Sequence, residues 1–191
     1  MLLEVSILFD HMKTVILVAL PEELDASLVD CPVVYTGVGL SNAAMMTYDA
    51  IVQYSPDRII NYGSAGALKG HKGLLNVAAV CQRDANCEPL RERGFMLGEN
   101  ILYYQSGNSG IRCGSGNNFV TNPDQWTLDH CDIVDMELWA IAKVCDLHKL
   151  PWTSVKWISD NADGEAGNTW ESALTTGQAE FIKWFNSGKY T

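Results

Sequence analysis

Unbroken apolar runs, each closed by polar or small residues, alternate along this chain with stretches of helical spacing. Residues 14–20, TVILVAL, form a continuous aliphatic and β-branched run of the kind that a strand covered on both faces presents. PEELDASL leaves it as a turn, and CPVVYTGVG (31–39) is a second strand ending in glycines. LSNAAMMTYDAIVQY (40–54) reads as a helix that Ser41 or Asn42 can cap. Ala43, Met46, Ala50, Ile51 and Val52 supply its apolar side, and Pro56 stops it. Strands follow at 57–68 (DRIINYGSAGAL, with a small-residue turn at 63–66) and at 73–85 (GLLNVAAVCQRDA). Segment 86–110 is polar and turn-rich, with a strand at ILYYQS. GIRCGSGNNFV (110–120) is a strand that ends in a Gly/Asn turn. VDMELWAIAKVCDLHKL (134–150) carries the strongest helical pattern, with Met136, Ala140, Val144 and Leu147 on one stripe. PWTSVKWIS (151–159) is a strand, and TWESALTTGQAEFIKWFN (169–186) a closing helix.

Buried strands alternating with helices predict an α/β fold: a three-layer sandwich with a mostly parallel central sheet flanked by helices. In such folds ligands gather at the carboxyl ends of strands. Polar residues recur there: Glu22 and Glu23, Ser64, Arg83–Asp84, Asn117–Asn118 and Asp160. Any one of them is ordinary turn chemistry. Five strand ends so furnished in one sheet make coincidence a weaker explanation, without yet defining a function.

Composition narrows the field. A chain of 191 residues predicts one domain spanning 1–191, and 47% apolar against 19% charged residues predicts a globular one. A net charge of −10 argues against nucleic acid and anionic membranes as partners. No apolar stretch approaches the ~18 residues of a membrane span. MLLEVSILFDHMKTVILVAL lacks the basic start of a signal peptide and is interrupted by Glu4, Asp10 and Lys13, so it reads as a strand or turn before a core strand. The six cysteines show neither CxxC pairing nor metal spacing with the four histidines. Buried free thiols in a reducing cytoplasm are the expectation, with no metal and no cofactor.

The stretch KWISDNAD (156–163) sharpens the question, because a buried strand there runs into two carboxylates, Asp160 and Asp163. Together with VALPEEL, INYGSAGAL and VDMELWAIAKVC, it resembles the nucleoside phosphorylase and nucleosidase superfamily. Within that superfamily the likeness is to the 5'-methylthioadenosine/S-adenosylhomocysteine nucleosidases. The order and rough spacing match from about residue 14 to the end, and the last two motifs are specific together. The resemblance implies a compact, phosphorylase/hydrolase-like variant of the α/β fold.

It also implies roles for particular residues. Asp160 matches the acid that meets the N7 and N6 edge of a purine and protonates the departing base; the plainer alternative is a capping Asp in a turn. Asp163 is expected to be a loop or helix-capping residue. Glu23 matches the base that activates water, and Glu22 takes its place if the match slips by one. Glu137, in the first turn of its predicted helix, matches the acid that grips the ribose hydroxyls, with Met136 packing under the sugar. Phe119 matches the aromatic that stacks on the base, Val120 beside it offers backbone contacts, and Ser64 lies on the purine side. Trp170, Leu20 and Val38 match the region around the 5' substituent.

The superfamily divides by nucleophile. Phosphorylases resembling this chain place an Arg two residues before the glycine of INYGSAG, where this chain has Asn61, and LPEEL is too acidic to welcome phosphate. Hydrolysis of an adenosine-type nucleoside is therefore expected. The rivals are a phosphorylase that uses Lys156 or Arg83 as its cation, and a non-catalytic nucleoside-binding module. Several positions depart from the pattern: Lys156 replaces a common Arg, Asn117 a common Asp, and Asn86 a common second acid. The short link between the first two strands suggests that one or two strands are missing. A homodimer is expected, with CQRDANCEPLRERG resembling the partner-contacting region.

Overall fold

The two-faced burial of the apolar runs builds the molecule, which a computed structural model describes over residues 12–188, the side chains of 166–169, 171 and 172 excepted. The segment 1–11 lies outside the described residues. The elements are β1 (Thr14–Val18), a 3-10 turn (Ala26–Leu28), β2 (Val33–Tyr35), α1 (Leu40–Tyr54), β3 (Arg58–Ala67), β4 (Leu74–Gln82) and β5 (Tyr104–Gln105). They continue with β6 (Ile111–Ser115), α2 (Gln125–His130), β7 (Ile133–Asp135), α3 (Leu138–Leu147), β8 (Trp152–Asp160) and α4 (Ala166–Asn186). Along β1, Val15 and Leu17 join a core with Leu40 and Ala43 of α1 and Leu138 and Ile141 of α3. The intervening Ile16 and Val18 join a second core with Ile60, Tyr62, Val155 and Phe181 of α4. Side chains alternate across a strand, so a strand with helices on both faces has no polar side to show.

The sheet is mixed and closed, which corrects the expectation of a mostly parallel central layer. β2, β1, β3 and β8 pair parallel in that order, as do β4, β6 and β7. However, β7 meets β3, β8 meets β4, and β5 meets β4 in antiparallel register. Hydrogen bonding therefore passes from β3 through β7, β6, β4 and β8 back to β3. Closure removes most exposed edges. An irregularity in register between Ala65 and Gly66 lets β3 change course where it leaves β8 for β7. Apolar runs report burial, not direction, so this closure was invisible in the pattern.

Smaller corrections follow the same logic. Residues 63–66 continue β3 rather than turning. Val134–Asp135 belong to β7, and α3 begins only at Leu138, whose N–H is accepted by Asp135 at 3.0 Å. Leu147 is exposed, and the buried face of α3 is Leu138, Ala140, Ile141, Ala142 and Cys145. Helix α1 is capped at Gly39 without a side-chain bond, so neither Ser41 nor Asn42 plays that part; Val52 points to solvent. Helix α2, capped by Asp124 through the N–H of Thr127, went unrecognised because it is one short turn-and-a-half in a polar stretch.

Candidate active site

The polar ends of the strands do converge. A cavity of about 260 Å³ is bordered by Leu20, Glu23, Val38, Ser64, Phe119, Val120, Met136, Glu137, Asp160 and Trp170, the complete set singled out from sequence. Gly66, Arg83, Asn118, Asp135 and Ser159 also border it.

Glu23 is buried, whereas Glu22 is exposed and outside the cavity. The turn after β1 places Glu23 against β3. Its Oε1 accepts both the N–H and the hydroxyl of Ser64 at 2.7 Å, and Oε2 accepts the N–H of Leu20 at 3.3 Å. Trp170 Nε1 donates to the same Ser64 hydroxyl at 2.8 Å, so α4 is tied to the floor of the site.

Asp160 ends β8 on the other side of that floor. Its Oδ2 accepts the Ser159 hydroxyl at 2.7 Å and its Oδ1 the N–H of Ala162 at 2.8 Å. A Cβ on Gly66 would lie 2.8 Å from Oδ1, so only glycine lets this carboxylate sit against β3. Ser64 and Gly66 are two residues apart on β3, so the two carboxylates meet the same short stretch of that strand. Asp163 accepts the N–H of Glu165 at 3.0 Å and stays a turn residue before α4.

Glu137 occupies the N-cap position of α3 rather than its first turn. Oε1 accepts the N–H of Gly39 at 3.0 Å and Oε2 that of Met136 at 3.3 Å. Burial, reinforced by the neighbouring Asp135 carboxylate and opposed by Lys156, raises its pKa to about 7. Phe119 and Val38 are each near half exposed and stand at the mouth.

Beneath these groups lies a network that sequence reading missed. Lys156, 1% exposed, pairs with Asp135 at 2.8 Å, and Asp135 also accepts the Ser115 hydroxyl at 2.5 Å. Burial opposes both charges, yet the pair outweighs it: the lysine is held above its ordinary range and Asp135 below its own. The only sequence signal was a lysine inside an apolar strand. Arg83 is likewise buried and spends its guanidinium on backbone carbonyls and the Asn118 side-chain oxygen.

The closed mixed sheet thus gathers three carboxylates at its strand ends, one of them over a buried ion pair, beneath an aromatic mouth. The family model described as "Phosphorylase superfamily" matches residues 113–186. The 5'-methylthioadenosine/S-adenosylhomocysteine nucleosidase of Staphylococcus saprophyticus is 31% identical over 168 residues, covering 73% of this chain and 72% of its relative. This chain belongs to that nucleosidase family. Solved structures share its fold. The Helicobacter pylori 5'-methylthioadenosine/S-adenosyl homocysteine nucleosidase superposes with a TM-score of 0.82 at 20% identity over 92% of this chain and 97% of that one. The native futalosine hydrolase of the same organism reaches 0.84 at 20% identity, over 92% and 96%.

Proposed function

We propose that this chain is a purine nucleosidase that hydrolyses the N-glycosidic bond of an adenosine-type nucleoside, with Asp160 as acid and Glu23 as base. The supporting observation is that the two carboxylates border one cavity at the two ends of the Ser64–Gly66 stretch. Water held by Glu23 attacks the anomeric carbon as the bond to the base breaks. Glu23 takes a proton from the water, and Asp160 gives one to N7 of the leaving base. Glu137 binds the ribose hydroxyls above Met136, and Phe119 stacks on the base beside Val120. Ser64 orients Glu23, while Leu20, Val38 and Trp170 surround the 5' group. Methylthio and 5'-deoxy substituents suit that apolar wall, and a homocysteinyl group suits it through its thioether stem.

Water is the better nucleophile than phosphate on electrostatic grounds. Of the two cations near the site, Lys156 is committed to Asp135 and Arg83 to main-chain carbonyls. The Glu23 carboxylate would repel a phosphate dianion. Incubation with methylthioadenosine in phosphate-free buffer should release adenine and free methylthioribose. Strict dependence on phosphate with a sugar 1-phosphate product would mark a phosphorylase, and binding without turnover a silent module.

The active unit is a homodimer in the cytoplasm. Leu90, Met96, Leu97 and Ile101 are exposed on the 86–110 segment, and all six cysteines are free thiols. No helix among the described residues is long and apolar enough to cross a membrane.

A further inference from the structure

The loop that bears Phe119 and Val120 is gripped by a side chain that takes no part in the proposed chemistry. Arg83 lies just beyond β4, with 4% of its surface exposed. Its Nε donates to the Gly114 carbonyl at 3.2 Å and its Nη1 to Asn118 Oδ1 at 2.8 Å. Its Nη2 reaches the carbonyls of Asn118 at 2.5 Å, Gly116 at 3.3 Å and Asp135 at 3.4 Å. The loop lies directly on the guanidinium: a Cβ on Gly116 would come within 2.9 Å of Cζ and Nη1. Asp84 completes the grip by accepting the N–H of Asn117 at 2.8 Å, and Asn117 Oδ1 in turn accepts the N–H of Leu40 at 2.9 Å.

We propose that Arg83 is the positioning residue of the base-side wall, holding loop 114–120 in its ligand-ready shape before a purine arrives. A planar fork of five donors can satisfy more carbonyls, spread over a wider span, than the three donors of a lysine or the two of a charged histidine. A loop fixed beforehand costs less to order on binding, and the saving applies equally to ground and transition states. Arg83 therefore acts on affinity rather than on the chemical step. The base being a purine rests on the function proposed above; the grip on the loop does not.

Two measurements on Arg83→Ala and Arg83→Lys separate these claims. For methylthioadenosine hydrolysis, KM should rise about tenfold or more in Arg83→Ala with kcat within about threefold, and Arg83→Lys should fall between it and the parent. Amide hydrogen exchange in the ligand-free protein should quicken at residues 116–120 in both variants and hold elsewhere. Unchanged exchange in that loop overturns the proposal. So does an unchanged KM accompanied only by a smaller folded fraction, which a merely structural residue would produce. Should Arg83→Ala fail to fold, Arg83→Lys carries both readouts. Should the parent enzyme release no base, the function fails, while the exchange comparison still decides the grip.

Discussion

Glu137 and Asp135 are two residues apart and equally subject to burial, yet shift in opposite directions, because only Asp135 has an ammonium in direct contact. The Glu137 carboxyl holds its proton up to about pH 7, whereas in the unfolded chain it would release it near its ordinary 4.5. The folded state thus binds more protons between those values, and this group's contribution to stability falls as pH rises from 4.5 to 7 and stays low above. Urea unfolding across that range should show the decline, worth about 3 kcal/mol at most, and Glu137→Gln should flatten it. Lys156→Met strands the Asp135 charge and should cost about 3–5 kcal/mol, part of which Asp135→Asn in the same chain restores. For the proposed reaction, Asp160→Asn and Glu23→Gln should each slow adenine release at least ~100-fold without comparable loss of stability. At this scale sequence was most informative, since the motif residues are the ones at the cavity. It missed Lys156 and Arg83 as structural cations because their partners lie 21 or more residues away along the chain.

The elements matter for what they bring to the floor of the site. Strand β3 carries both Ser64, which Glu23 binds, and Gly66, against which Asp160 rests. Gly66→Ala would push the Asp160 carboxylate out of place, and a displacement near 1 Å is enough to cost about 100-fold in turnover. Helix α4 delivers Trp170 and is anchored by Phe181, whose ring stacks 4.2 Å from that of Tyr62. Phe181→Ala should lower stability by about 3–5 kcal/mol, read by thermal unfolding, and should weaken binding of nucleosides with bulky 5' groups. Element types were legible from the pattern for the long runs. The short ones, α2 and β7, were not: six and three residues are too few for a period to emerge.

For the whole molecule, charge and closure set the terms. The proposed homodimer would bring together two chains each carrying −10, so added salt should tighten it, the reverse of what an ion-paired interface would do. Sedimentation should find twice the 21.0 kDa chain mass, and Leu97→Asp should shift the population toward monomer. A sedimenting monomer at every salt and protein concentration would exclude the dimer.

The order of chemistry-bearing residues, the two-faced burial of the strands and the acidity that turns phosphate away were all determined by the sequence, because each is a property of residue type and spacing. The ring closed through β3, β7, β6, β4 and β8, the buried Lys156–Asp135 pair and the hold of Arg83 on its loop were decided only in three dimensions. Strand direction and long-range partnership leave no period along the chain. They arise when strands must satisfy their backbone groups and buried charges must find each other away from water.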